Sequence, residues 1–193
     1  MRRTLSAFLL KLLVIFPMSY SLYAAPETWT LDPTHSYVLW KIGHLGFSTQ
    51  AGKFYVTGTV ILDDAHPENS RVDARVNIAD IVTGLPELDK HLKSKLFFDA
   101  DQFPTASFVS QQVKITSKTS ATVKGMLTIH GVSKPVTLKV VMNKVGKNTI
   151  TDKLTAGFSA TTTIKRSDFG INAFLPDVAD EVKIDIGAEA NKA

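Results

Sequence analysis

Asp32, His35 and Ser36 bring together, within five residues, the three side-chain types of a hydrolytic triad. A working triad draws its nucleophile, base and orienting acid from separate elements, and a serine nucleophile of the hydrolase type sits on a strained strand-to-helix turn. Residues this close on one extended segment do not converge, and no such turn is visible, so the stretch is not read as a catalytic centre. The histidines at 35, 44, 66, 91 and 130 are scattered, with no paired spacing and no cysteine beside them. Zinc sites want clustered nitrogen, sulfur or carboxylate ligands, so neither a metal nor another cofactor is expected. Arg166-Ser167-Asp168 reads as an ion pair at a turn. His44 continues the alternation of Val38, Trp40 and Ile42 and so faces the same way. A polar group on a dry face needs a partner. Pairing with backbone or a nearby aspartate is the preferred reading, contact with a ligand's polar head the alternative. His91 and His130 are expected in structural or solvent-facing roles.

The N-terminus is set aside before the elements are assigned. Arg2 and Arg3 precede an apolar run from Leu5 to Phe16, which Pro17 and the serines that follow bring to an end. This is the pattern of a secretory signal, too short for a stable bilayer anchor, with cleavage expected after Ala24. Removing Arg2, Arg3 and Lys11 lowers the net charge from +4 to +1. The basic balance belongs to the export signal and gives no reason to expect nucleic acid or a membrane surface as a partner. With no cysteine there is neither a disulfide nor a lipidated N-terminal cysteine. The expectation is a signal peptide at 1–24 and one domain at 25–193, soluble in the periplasm without a membrane span after processing.

From Trp29 onward the dominant pattern is alternation with period two, the mark of strands with one dry face. It runs through Val38-Trp40-Ile42, Phe54 to Leu62, Val72 to Ile78, Ala106-Phe108, Val123 to Ile129, Val136 to Met142, Ala156 to Ile164 and Val182 to Ala188. Val113 and Ile115 change parity relative to Phe108, which predicts a bulge near Ser110–Gln112. Turn formers in His130–Pro135 predict a hairpin. Leu85, Leu88 and Leu92 instead fall at helical spacing. Pro86 suits a first turn, acids lie near the start and lysines near the end, so 86–94 reads as a short amphipathic helix. About eight antiparallel strands joined by short turns predict a closed barrel, with a sandwich as the alternative. An eight-stranded barrel is either filled by its own side chains or holds one small ligand. Aromatic residues on most elements suit either outcome. Small residues on inward parities (Gly58, Ala74, Ala106, Gly125, Ala156, Ala160) favour a hollow interior.

Several separated motifs resemble, in order, those of the YceI-like family. They are the stretch from Trp29 through Asp32-Pro33-Thr34-His35-Ser36 to Ser48, Gly52-Lys53-Phe54, Asp89-Lys90-His91-Leu92, Phe97-Phe98-Asp99, Phe103-Pro104, Gly125 to Pro135, Gly157 to Ala160 and Arg166 to Gly170. The resemblance covers nearly all of 25–193. It implies a lipocalin-like extended barrel, exported, with a polyisoprenoid or another long amphiphile such as an isoprenoid quinone in its interior. Leu88 and Lys93 depart from the pattern, since arginine is usual at both places. If the first arginine holds a ligand head, that role is missing here. The expected ligand-binding wall is Val38, Trp40, Ile42, His44, Phe47, Phe54, Phe98, Phe108, Leu127, Phe158 and Phe169. Three readings are carried: a lipid carrier or store with no catalytic residue, an exported enzyme using His44 as acid or base, and a surface-interaction domain with a filled core. Pairing of two chains as a homodimer is left open.

Overall fold

The computed structural model describes residues 25–193, and the expected export signal lies outside the described residues. The described residues form ten strands: β1 (Glu27–Leu31), β2 (Tyr37–His44), β3 (Ser48–Tyr55), β4 (Thr57–Leu62), β5 (Arg71–Asn77), β6 (Thr105–Ile115), β7 (Ser120–Ile129), β8 (Val132–Lys147), β9 (Leu154–Lys165) and β10 (Val178–Lys192). One helix, α1 (Pro86–Lys93), interrupts them. All pairings are antiparallel, and β1 returns to β10 to close the sheet.

The ten strands make eight staves. β1 and β2 lie end to end along β10, Trp29 opposite Lys192 and Tyr37 opposite Gly187. β3 and β4 continue one another along β2 and β1. The first break has a local cause. Asp32 accepts the Thr34 N–H at 2.9 Å, and Pro33 favours the turn. The chain leaves the edge of β10 and rejoins it at Ser36, whose buried hydroxyl donates to the Glu189 carbonyl at 3.0 Å and accepts the Glu189 N–H at 3.1 Å. A side chain thus substitutes for two missing ladder bonds. Closure leaves few unpaired edges. The exception is the outer edge of β3, because β5 is short and on that side pairs with β4 and not with β3.

The connection from β5 to β6 covers that gap. Val82 bridges to Lys53 of β3 by two backbone hydrogen bonds at 2.8 and 3.0 Å. α1 follows, and Leu92 packs with Phe54, Ile78, Ile81 and Ala106. Its bounds match the expected helix within a residue, with Ser94 as its C-terminal cap. The expected bulge is present, as a register shift between Ser110 and Gln112. The β7–β8 connection is tighter than the turn residues imply. His130 and Gly131 alone make the turn, both at positive φ, and Val132 to Pro135 already pair with β7. Pro135 is tolerated because β8 pairs with β9 only from Lys139 onward, so one edge of the strand is still free at Pro135.

The strand directions define two ends. The β2–β3 turn, the α1 connection, the β7–β8 turn and the β9–β10 connection lie at one, called here the helix end. The β4–β5, β6–β7 and β8–β9 connections and the described termini lie at the other, the terminus end. Toward the terminus end Trp29, Leu31, Val56, Val60, Leu62, Ala156 and Ala190 pack into a buried cluster, of which Leu31, Val56, Val60 and Leu62 also face the interior cavity.

Candidate functional site: the barrel lumen

Inward side chains of all eight staves surround a cavity of about 1130 Å³. Its middle is walled by aliphatic and aromatic groups, among them Val38, Trp40, Ile42, Leu127, Val140, Phe158 and Ile184. Polar lining gathers at the ends. His44, Gln50, Glu87 and His91 stand at the helix end; Asp63, Asp64, Ser70, Arg71 and Lys118 stand at the terminus end. A wall of this kind attracts through non-directional apolar burial, with few hydrogen bonds to set orientation.

Ten of the eleven expected wall residues line the cavity: Val38, Trp40, Ile42, His44, Phe54, Phe98, Phe108, Leu127, Phe158 and Phe169. Phe47 does not, and this corrects the expectation. Leu45 and Gly46 both take positive φ and turn the chain, so Phe47 leaves the inward parity and is 90% exposed. Phe169, only 1% exposed, reaches the cavity from the 3-10 turn Arg166–Phe169.

Other residues needed the fold to be found. Phe97, from the loop after α1, and Phe174, from the β9–β10 connection, meet across the helix end with ring centres 6.1 Å apart. His91 packs edge-on against both, at 5.0 and 6.2 Å. Phe98 meets Phe54 edge-on at 5.8 Å. Loops carry no period two, so nothing in the alternation points to Phe97 or Phe174 as partners.

Gly125 acts differently from the expectation of spare volume, and Gly52 serves in the same way on another strand. A Cβ on Gly125 would lie 2.5 Å from the Phe108 ring, and one on Gly52 would lie 2.3 Å from the Trp40 ring. These glycines receive aromatic faces, which aims the rings along the wall. Ala74, Ala106 and Ala160 do line the cavity.

Arg166 corrects a second expectation. It makes no ion pair with Asp168. Its side chain is 6% exposed and donates to three carbonyls: Nε to Ala179 at 2.9 Å, Nη1 to Ile171 at 3.1 Å and Nη2 to Val178 at 2.8 Å. Burial pulls its pKa below the ordinary arginine value, and the nearby Asp180 charge opposes this. Burial alone would raise the Asp180 carboxyl. The Ser167 N–H at 2.9 Å and hydroxyl at 2.7 Å outweigh it, with Lys165 and Arg166 nearby, and hold it below the usual carboxylate value. The two residues pin both ends of the β9–β10 connection to the start of β10.

The histidines sort by contact. The His44 ring makes no hydrogen bond to backbone or to an aspartate, against the preferred expectation; half-buried at the helix end, it meets solvent instead. His130 lies 3.2 Å from the Phe169 carbonyl and packs on Phe103. His35 pairs with Asp32 at 2.9 Å on the outside, while the Ser36 hydroxyl is buried on Glu189, so the apparent triad holds no free nucleophile. Among the described residues no cluster of histidine and acidic side chains has the geometry to hold a metal ion, and no helix is long and apolar enough to cross a membrane.

Comparison with known proteins agrees with this architecture. The YceI-like domain matches residues 29–190. A UPF0312 protein of Pseudomonas fluorescens is 42% identical over 159 residues, 82% of either chain, and a UPF0312 protein of Pseudomonas putida is 41% identical over 160 residues with the same coverage. Burkholderia cenocepacia BcnA superposes with a TM-score of 0.74 at 26% identity, over 82% of this chain and 98% of that one. The Campylobacter jejuni YCEI protein superposes at 0.70 with 30% identity, over 78% and 90%. A polyisoprenoid binding domain from Saccharophagus degradans, implicated in plant cell wall breakdown, shares the fold at 0.61 with 14% identity, over 86% and 98%. By sequence and by architecture, this chain belongs to the YceI-like family.

Proposed function

We propose that the protein holds a long apolar lipid, a polyisoprenoid or an isoprenoid quinone-like amphiphile, in the barrel lumen, and carries or stores it in the periplasm after loss of residues 1–24. The observation that carries this reading is the cavity of about 1130 Å³ with its aliphatic and aromatic middle. The Saccharophagus degradans domain, described as polyisoprenoid binding, has the same fold and supports the ligand class.

The physics is simple. Each methylene moved from water into such a wall contributes about 0.8 kcal/mol. Ordering a flexible chain and parting the helix-end aromatics offset much of that sum, which leaves an affinity low enough for release. The wall selects length and girth more than head group. The tail lies along Val38, Trp40, Leu127, Phe158 and Ile184, and the polar head stays near His44, Gln50 and His91. Holding a lipid in this way uses no acid, base or nucleophile.

The test is retention. Protein purified from bacterial cells is extracted with organic solvent and the released lipid quantified, for wild type and for Ala160→Trp. Ala160 lines the cavity, so an indole there occupies the ligand's volume while leaving the strands paired. Wild type is expected to yield lipid near one equivalent and the variant little. Equal yields, or none from wild type after incubation with a polyprenol, would remove the proposal.

A further inference from the structure

The segment 78–104, between β5 and β6, is fastened to the barrel unevenly. Its two ends lie side by side. The Ile78 N–H donates to the Pro104 carbonyl at 2.9 Å, and Asn77 and Thr105 pair just beyond. Phe103 packs on His130 with ring centres 4.7 Å apart, which holds this base against the β7–β8 turn. Between the ends the backbone closes on itself. The N–H groups of Asp89, Phe98, Asp99 and Ala100 donate to the carbonyls of Leu85, Leu92, Ser94 and Lys93, at 2.9 to 3.0 Å. The Asp89 carboxylate accepts the Thr83 N–H at 2.8 Å and the Thr83 hydroxyl at 2.6 Å, so the approach to α1 is tied to the helix itself. Among the described residues, the only backbone hydrogen bonds from 78–104 to another part of the chain are the two between Val82 and Lys53 of β3. The segment is thus one self-contained body, based on β5 and β6 and joined to the opposite edge by a single bridge.

That body fills the wedge where β3 and β5 part. Its inner side chains Leu85, Leu88, His91, Leu92, Phe97 and Phe98 line the lumen. Its remaining contacts across the wedge are apolar or ring contacts. Leu92 packs with Phe54, Phe98 meets Phe54 edge-on at 5.8 Å, and Phe97 and His91 meet Phe174 at 6.1 and 6.2 Å. Such contacts are non-directional, and a lipid chain moving in beneath the segment replaces them in kind. The two backbone bonds of the bridge have no such substitute. A long chain entering endwise would thread its whole length past Phe97 and Phe174. An opening along one side admits it broadside.

We propose that 78–104 is a hinged flap, that it swings from its base at Ile78 and Pro104 by parting Val82 from Lys53, and that the ligand enters and leaves the lumen sideways through the gap between β3 and β5. This rests on the lipid-holding reading and gives the cargo its route.

A staple at the bridge tests the route on the whole mature chain, which has no cysteine of its own. Lys53 and Val82 exchange two backbone bonds, so their Cα atoms stand about 5.5 Å apart, within reach of a disulfide. Neither side chain lines the cavity, and Lys53 lies outside over the Tyr37 and Tyr55 rings, so a link there leaves the lumen untouched. Uptake of a long-chain polyprenol from phosphatidylcholine vesicles is followed by extraction at timed intervals. The oxidised Lys53→Cys/Val82→Cys variant is expected to load at least about tenfold more slowly than the same protein reduced. Loaded first and oxidised afterwards, it should keep its lipid at wild-type content. Val82→Pro works in the other direction. It removes the donor of one bridge bond, and Ile81, at ψ 136°, already has the conformation that a following proline requires. It should load about fivefold faster than wild type.

Hydrogen exchange supplies a readout that uses neither cross-link nor lipid. The Lys53 and Val82 amides should exchange together and well ahead of those in the β6–β7 ladder. The proposal is overturned if the oxidised and reduced forms load at one rate, if Val82→Pro loads no faster than wild type, or if the two amides exchange only when the ladder does. A wild type that takes up no polyprenol removes the lipid-holding reading. The two amides then decide the flap alone: joint exchange ahead of the ladder supports the hinge, and exchange with the ladder removes it.

Discussion

Ala156 and Ala160 stand four residues apart on β9 and on the same face of the strand, yet they meet different interiors. Ala156 is fully buried beside Ala190, under Trp29 and Leu31. Ala160, one helical-end step along, opens onto the cavity. Both regions are walled by the same residue types on the same staves. What closes over Ala156 is the cluster around Trp29 of β1, whose members Leu31, Val56, Val60 and Leu62 themselves face the cavity. Facing inward is therefore a property of a strand's parity, whereas being hollow is a property of the residues on the opposite wall.

The comparison breaks first at Trp29. Trp29→Ala should cost about 3–5 kcal/mol in denaturant unfolding, because the buried cluster would be left with a large void. A cost near zero would mean that region is hollow too. The paired alanines sharpen the contrast. Ala156→Leu should destabilise by about 1–3 kcal/mol through overpacking. Ala160→Leu should change stability by less than about 1 kcal/mol and reduce the lipid recovered by extraction, since a side chain entering open space meets no hard wall. Equal costs at the two sites would remove the distinction. Gly125→Ala probes the wall between them: its Cβ would meet both the Phe108 ring and the Val109 carbonyl at 2.5 Å, so about 1–3 kcal/mol of destabilisation is expected by thermal melting.

The smallest effect lies outside the barrel, at Asp32 and His35. The hydrogen bond between them lowers the Asp32 pKa and raises that of His35. The histidine's contribution is complete below its ordinary value of 6.5 and is lost as pH rises through its raised value. The aspartate's is complete above its ordinary 3.8 and is lost as pH falls through its lowered value. The pair thus stabilises most between those two values. His35→Gln should lower Tm slightly near pH 5 and not at all near pH 9, the pair being solvent-exposed. A loss that grew with pH would reverse the sign of this coupling.

Much of the wall was legible from alternation alone. Val38, Trp40 and Ile42, or Phe158 and Ala160, needed only period two, because a strand with one dry face fixes every second side chain. Phe47 escaped that logic at a turn whose positive φ values break the parity. Phe97, Phe174 and His91 lie on or beside connections, where no period links them to the staves they cover. Arg166 looked like the partner of Asp168, its neighbour in sequence; its carbonyl partners lie 5 to 13 residues on and are brought near by the fold. Gly125 looked like spare volume, and only the fold lays the Phe108 ring over it. The YceI-like motifs, spread over the chain, carried the fold further than any one strand.

The most direct measurement is a high-resolution crystal structure of the mature protein after incubation with a long-chain polyprenol. Continuous elongated density is expected along Trp40, Leu127, Phe158 and Ile184, its polar tip near His44 and its tail toward the terminus end. A lumen closed by inward movement of Trp40 and Phe158, with no density for a chain, would contradict it.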